Sequence, residues 1–391
     1  MRRLINLNAF KDFFKSESTG GLILILCVAI SLIIANSSLG TDFEKLLTTQ
    51  LGFENSTLSL RYPIILWIND GLMAIFFLLV GLEIKRELIE GELSSIKQAS
   101  LPIMAAIGGM IMPAILYSIV NKGTNTAHGW GIPMATDIAF AIAIISLLGK
   151  RIPNSLKIFL TALAIVDDLG AIIVIALFYS KELHTSYLLY AGGIFALLLL
   201  FNKLGIKNLA FYLIPGAIMW YLIHHSGVHA TIAGVLTALT IPTNPTAHAS
   251  PLEKLEHFLS KPVNYLIMPI FALANTNIHF ENGMLSGLEE KLSIGILLGL
   301  IFGKPIGITL FSWLSVKLGL STLPKNTKWS QIWGLGWLGG IGFTMSIFIA
   351  LLSFAPVEFQ TQAKFAILTS SITAGILGFI TLKFLGKKNL D

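Results

Sequence analysis

The run Ile158-Phe159-Leu160-Thr161-Ala162-Leu163-Ala164-Ile165-Val166-Asp167-Asp168-Leu169-Gly170-Ala171-Ile172-Ile173-Val174-Ile175 sets two adjacent carboxylates in the middle of an apolar stretch that extends from Asn154 to Tyr179. At about 1.5 Å of rise per residue such a stretch is long enough, as a helix, to cross a hydrocarbon core about 30 Å thick. A charge at the centre of a membrane helix costs about 2.5 to 3.5 kcal/mol even on the most lenient scale, so residues of this kind face the bundle interior and carry chemistry. The chain therefore reads as a membrane protein organised around a buried acidic pair.

Composition agrees. Of the 391 residues, 54% are hydrophobic and 12% charged, with a mean hydropathy of +0.77, where soluble domains carry about 25% charged residues. Apolar blocks recur from residue 20 to residue 385 with no polar stretch long enough to fold as a soluble domain, which predicts one integral membrane transporter domain over 1–391. The formal charge of +6 does not indicate nucleic acid as a partner, because the basic residues are scattered through short loops. Cys27, the single cysteine, excludes an intramolecular disulfide and a cysteine metal cluster. Residues 1–18 carry Arg2, Arg3, Lys11 and Lys15 ahead of an apolar block, but no A-x-A cleavage motif follows. They are expected to form an interfacial segment leading into the first helix.

Apolar length and polar breaks predict twelve spans, near 20–37, 62–87, 99–120, 128–148, 154–179, 186–202, 209–224, 228–241, 258–277, 292–316, 330–354 and 362–384. An even count puts both termini on one side. With the termini cytoplasmic, most of the 27 Lys and Arg, including Lys85, Arg86, Lys97, Lys150, Arg151 and Lys157, fall on the cytoplasmic side, as the positive-inside rule requires. The longest outer loop, 38–61, ends in the alternating run Ser56-Thr57-Leu58-Ser59-Leu60-Arg61, which either pairs as a short hairpin or runs irregularly.

Five ionisable residues remain deep in the spans: Asp70, Asp137, Asp167, Asp168 and Lys304. Counted along their helices, Asp168 lies roughly 21 Å, Lys304 roughly 18 Å and Asp137 roughly 14 Å from the start, all near the midplane. Neighbouring helical residues point about 100° apart, so one carboxylate of the pair faces a cavity while the other reaches a partner such as Lys304. Repulsion and desolvation both favour protons on such a pair, and a small cation that brings replacement charge displaces them. Carboxylate oxygens are hard ligands suited to an alkali cation, and competition of Na+ and H+ for one site is antiport chemistry. For Asp70 a plain structural ion pair is the competing reading. The sequence has no G-x-S-x-G, no H-E-x-x-H and no G-x-G-D, so an enzyme, including an intramembrane aspartyl protease, is not expected, and neither is a resident cofactor. The alternative of another class is a cation channel with the aspartates as a selectivity ring.

Gly131-Ile132-Pro133-Met134-Ala135-Thr136-Asp137 in the fourth span and Gly339-Gly340-Ile341-Gly342-Phe343-Thr344 in the eleventh are helix-breaking. Backbone freed at membrane depth is tolerated only where protein buries it or it lines a cavity. If the two breaks cross, half-helix N-termini gather positive and C-termini negative partial charge. Asp137 is placed to offset the first and Lys304 the second.

The ordered motifs Trp67-Ile68-Asn69-Asp70-Gly71-Leu72-Met73-Ala74, Val80-Gly81-Leu82-Glu83, Ala135-Thr136-Asp137-Ile138-Ala139-Phe140, Ala164-Ile165-Val166-Asp167-Asp168-Leu169-Gly170-Ala171, Ser226-Gly227-Val228-His229-Ala230-Thr231, Leu255-Glu256-His257, Gly303-Lys304-Pro305 and Gly340-Ile341-Gly342-Phe343-Thr344-Met345-Ser346 resemble the NhaA-type bacterial sodium/proton antiporters. The resemblance covers nearly the whole chain. It implies an all-α membrane protein of twelve transmembrane helices, with inverted repeats and two broken, crossing helices (4 and 11), in the bacterial inner membrane. It also implies electrogenic, alkaline-activated exchange of Na+ or Li+ for more than one proton by alternating access. It makes Asp167 and Asp168 the exchanging carboxylates, pairs Lys304 with Asp167 when no cation is bound, and sets Thr136 and Asp137 at the crossed breaks. Family pH-response positions map onto Glu83, Glu87, Glu256, His257 and His229. Glu83 and Glu87, at i and i+4, share a helix face, and Glu256 and His257 are expected to begin the ninth helix on the same side. His229 lies on the outer side, apart from them. The outer loop corresponds to the family's dimer contact, which implies a homodimer embedded in lipid.

Overall fold

The structure, a computed structural model, describes residues 7–55, 60–180, 183–244, 250–280 and 284–385. It is helical almost throughout. Among the described residues, seven helices are long and apolar enough to cross a membrane: Ile64–Ile89, Ile96–Val120, Ala127–Leu147, Asn154–Phe178, Thr185–Lys203, Lys291–Lys317 and Val357–Leu385. Trp329–Gly339 and Phe343–Ser353 form an eleventh predicted segment bent by 47° at its break, and Thr19–Ala35 turns by 110° into Gly40–Thr48. The fold is thus an all-α membrane protein. The seventh, eighth and ninth predicted segments are also helical, but shorter or interrupted: Ala210–His224, Ile232–Thr240, and Pro251–Pro262 joined to Met268–Asn275 by a π-helical turn over Val263–Ile267.

Two boundaries differ from expectation. The first helix already begins at Leu7. The ninth begins at Pro251, because Ser250 and Glu253 close a capping box: Glu253 N donates to Ser250 Oγ at 3.2 Å and Ser250 N to Glu253 Oε2 at 2.9 Å. Glu256 and His257 therefore sit one turn inside this helix instead of starting it. In the outer segment, the nine-residue helix Gly40–Thr48 was not foreseen. The antiparallel pairing here joins Gln50 to Pro63 and Leu51 to Tyr62. Residues 56–59 of the alternating run lie outside the described residues.

The chain divides into two compact units. Unit 1 comprises Met1–Leu26, Glu92–Ala171 and Phe280–Asp391. Its centre is the packing of Ile96–Val120 on Lys304–Lys317, where a Cβ on Gly108 would run into the Gly307 carbonyl and one on Gly307 into the Gly108 carbonyl. Gly303 and Gly307 are one turn apart, a small-x-x-x-small spacing that lets helix backbones touch. That contact buries Lys304 completely.

Unit 2 comprises Cys27–Gly91 and Ile172–His279. Ile232–Thr240 lies against Ile64–Ile89 so closely that a Cβ on Gly234 would meet the Ala74 carbonyl. The carbonyls at the end of this short helix are capped by side chains, Lys85 Nζ donating to Leu239 O at 2.8 Å and Ile241 O at 2.5 Å, and Asn202 Nδ2 to Thr240 O at 2.7 Å. A cation at a helix C-terminus also offsets the macrodipole.

Candidate functional site

The site is built in unit 1 where the two breaks meet. In the fourth segment a 3-10 helix, Ala127–Met134, stops at extended Ala135, and an α-helix resumes at Ile138. Gly340–Gly342 interrupts the eleventh segment between helices ending at Gly339 and starting at Phe343. The freed backbone of each break is satisfied by the other. Asp137 N donates to Ile341 O at 2.6 Å, Thr136 Oγ1 to Gly339 O at 2.8 Å, and Ser346 Oγ to Ile132 O at 2.7 Å. Unpaired polar backbone is expensive in an apolar interior, so these bonds hold the breaks open as a defined structure.

Asp137 caps two helices at once. Its Oδ1 accepts from Phe140 N at 3.1 Å, in the first turn of Ile138–Leu147. Its Oδ2 accepts from Thr344 N at 3.0 Å and Thr344 Oγ1 at 2.5 Å, in the first turn of Phe343–Ser353. A carboxylate at two N-termini answers the positive ends of both half-helices. Both its oxygens are engaged, which makes Asp137 a charge-offsetting residue before it is a cation ligand. Thr344, which supplies two of the three donors, did not stand out in the sequence beyond its place in a Gly-rich break.

Asp167 and Asp168 differ as their angular offset on one helix suggests. Lys304 Nζ donates to Asp167 Oδ2 at 2.6 Å and to Thr136 Oγ1 at 3.0 Å, all buried. Asp168 is 4% exposed and lies within electrostatic reach of Asp167, Asp137 and Lys304. Asp167 Oδ1 and Asp168 Oδ1 are both shielded from solvent and accept no hydrogen bond among the described residues. Buried polar atoms are nearly always paired, so two orphaned carboxylate oxygens on successive residues are an unfilled demand for positive charge. A proton or an unhydrated alkali cation meets it. Among the described residues no group of three or more His, Cys, Asp or Glu converges as a transition metal would need.

The expected pH-response residues fall in two places in unit 2. At the end of Ile64–Ile89, Arg86 Nε donates to both oxygens of Glu256 at 2.9 Å, and Arg86 Nη1 is 2.8 Å from Glu87 Oε1. Glu83 adds its charge to Arg86. Arg86 is the hub of this cluster, and the sequence showed it only as one more positive-inside charge. Burial holds the Glu256 carboxyl above the usual carboxylate range, against the opposing pull of Arg86. His257 is exposed and makes none of these bonds. His229 precedes Ile232–Thr240, at the opposite end from the Lys85 cap, and its Nε2 lies 2.7 Å from Tyr179 O. Asp70 is not isolated either: its Oδ2 lies 3.2 Å from His224 Nδ1, a partner the sequence offered only as part of the polar break His224-His225-Ser226-Gly227.

Comparison with known proteins gives the family of the chain. Residues 11–382 match the family described as Na+/H+ antiporter 1. The chain is 65% identical to the Na(+)/H(+) antiporter NhaA 2 of Flavobacterium johnsoniae over 100% of its own length and 96% of that protein. It is 54% identical to the Na(+)/H(+) antiporter NhaA of Flavobacterium psychrophilum over 97% of each chain. With the Bordetella parapertussis Na(+)/H(+) antiporter NhaA it shares 47% identity over 95% of this chain and 96% of the other.

Proposed function

We propose that this chain, which belongs to the Na+/H+ antiporter 1 family, exchanges Na+ or Li+ for protons at Asp167 and Asp168. The observation that carries this reading is the pair of orphaned buried oxygens, Asp167 Oδ1 and Asp168 Oδ1. Two carboxylates on successive residues in a dry interior cannot both stay charged without added cations. Protons meet that need in one half of the cycle and Na+ in the other.

Asp168, without an ammonium bonded to it, is the primary cation ligand. Asp167 is bonded to Lys304 while the site is empty, and leaves that ammonium when it takes up a proton or Na+. Thr136, whose hydroxyl joins Lys304 to the Gly339 carbonyl, keeps the lysine aligned and adds a neutral oxygen beside the pair. Two carboxylates that each bring in a proton, set against one monovalent cation leaving, make the exchange electrogenic. The carrier works by alternating access, through twelve crossings built as inverted repeats, with both termini on the cytoplasmic side of a bacterial inner membrane. The outer segment 38–61 forms the contact of a homodimer.

Alkaline activation belongs to the Glu83, Arg86, Glu87 and Glu256 cluster. Losing the Glu256 proton frees both its oxygens to accept from Arg86 Nε and ties the Pro251–Pro262 helix to the end of Ile64–Ile89. His257 and His229 act outside that cluster.

Proteoliposomes test the exchange. An outward Na+ gradient should drive protons inward, and an inward proton gradient should drive Na+ outward. A sodium current with no linked proton movement would favour an aspartate-lined channel and defeat the exchanger.

A further inference from the structure

One group of polar side chains in unit 2, used by neither the exchanging pair nor the Arg86 cluster, gathers around Asp70. Asp70 lies in a π-helical turn, Trp67–Leu72, a distortion often found at functional sites. Asn69 in the same turn exchanges amide hydrogen bonds with Asn275, at 2.7 and 3.3 Å. Opposite Asp70 stands His224, the last residue of Ala210–His224, with Nδ1 3.2 Å from Asp70 Oδ2 and both side chains 17% exposed. Trp220 stacks on the His224 ring at 5.8 Å, Trp67 stacks on Trp220 at 6.0 Å, and Tyr62 meets the His224 ring edge-on at 5.0 Å. Aromatic walls of this kind hold the imidazole in place beside Asp70.

The two neighbouring histidines differ in their nitrogens. His225 uses both: Nδ1 is 2.9 Å from Tyr221 O and Nε2 is 3.5 Å from Tyr62 Oη. Neither nitrogen of His225 is therefore left to water. His224 has Asp70 Oδ2 3.2 Å from its Nδ1 and is 17% exposed, and its Nε2 makes no hydrogen bond among the described residues, which leaves that nitrogen to water.

We propose that His224 and Asp70 form a second proton-binding site, which takes a proton from the outer water at His224 Nε2 and turns a neutral contact into an ion pair linking the Ile64–Ile89 and Ala210–His224 helices. Histidine is the side chain suited to such a change between about pH 5 and 8. The titratable groups that face the pair are Tyr62 from the strand before Ile64–Ile89, Tyr221 and His225 on the helix of His224 itself, and Tyr187 on Thr185–Lys203, whose ring lies 5.7 Å from that of His225. Glu54 of the outer segment acts at longer range through Tyr62. The site rests on the exchanger reading and on its sidedness, and makes the rate of exchange respond to outer pH independently of the Glu256 cluster.

Right-side-out membrane vesicles containing the full chain test this by 22Na+ efflux at fixed inner pH, as the outer pH is stepped from about 5.5 to about 8. His224→Gln keeps an N–H for Asp70 but takes no proton. It should move the midpoint of the outer-pH profile by at least about 0.5 unit, and Asp70→Asn should do the same. The double variant should match either single one, because the two residues act as one unit. His225→Gln should keep the parent profile. In everted vesicles, where the medium bathes the cytoplasmic face, all four variants should follow the parent. A parent-like outer profile for His224→Gln, additive effects in the double variant, a shift in His225→Gln equal to that in His224→Gln, or a shift confined to everted vesicles would each overturn the site. Parent vesicles that show no Na+-linked proton movement would instead overturn the exchanger reading.

Discussion

Lys304 Nζ stands 2.6 Å from Asp167 Oδ2, with both side chains fully removed from solvent, and the next residue, Asp168, keeps a buried oxygen that no donor reaches. One helix therefore carries a carboxyl group bonded to an ammonium and, beside it, one that is not. The contrast separates the effect of a substitution on stability from its effect on exchange.

Asp168→Asn should abolish Na+-driven proton movement and leave the protein folded. No ion pair is broken and the shape is kept, so the change in stability should stay within about 1 kcal/mol. Thermal unfolding in detergent and proton movement in proteoliposomes read the two effects. Near-parent exchange by this variant would remove Asp168 from its role as primary ligand.

Lys304→Ala should do the reverse and damage the fold first. Removing one member of a fully buried pair leaves Asp167 uncompensated and costs about 3 to 5 kcal/mol. Adding Asp167→Asn to the lysine variant should restore most of the lost thermal stability without restoring exchange. An unchanged unfolding temperature in Lys304→Ala alone would mean that the pair does not hold the site together.

Thr344→Val should cost about 1 to 2 kcal/mol, the value of a buried hydrogen bond to a charged group. Asp137 keeps its two backbone donors, Phe140 N and Thr344 N, so exchange should slow without disappearing. Asp137→Ala, which uncaps both half-helices, should cost more than Thr344→Val. Equal losses in the two variants, measured by thermal unfolding, would contradict the double cap.

Glu256→Gln tests the alkaline response. Burial holds the Glu256 carboxyl above the usual carboxylate range, so in the window upward from about pH 4.3 the folded chain keeps a proton that the unfolded chain has lost. Stability from this group is present below that window and is lost as pH rises through it. The glutamine cannot lose a proton, so the variant's unfolding temperature should decline less than the parent's over the same rise. Its exchange should also need a more alkaline medium, because the completed Arg86 bond no longer forms. Parent-like pH profiles in both measurements would clear Glu256 of this role.

How much of this was legible in the chain depends on distance along it. The breaks at Gly131–Asp137 and Gly339–Thr344 were readable because Pro and Gly act locally, and so was the acidic pair, because charge in an apolar run is conspicuous at any position. The ninth helix began early because Ser250 and Glu253 cap it three residues apart, a signal that an apolar-length count passes over. Arg86 and His224 were missed for a different reason. Their partners, Glu256 and Asp70, lie 170 and more than 150 residues away, and no spacing rule connects such residues.

The sequence by itself determined that this is a helical membrane protein, that it carries an acidic pair where charge is costly, and that two of its helices must break. These follow from hydropathy, helix rise and backbone sterics, which each residue expresses in its own neighbourhood. The pairing of Asp167 with Lys304 was expected from the family resemblance; only the tertiary structure decided that Asp168 Oδ1 has no donor among the described residues, that Asp137 serves two helix ends, and that Asp70 faces His224. Those distinctions rest on which hydrogen-bond donors packing brings within about 3 Å of a carboxylate, and packing is a property of segments far apart in the chain.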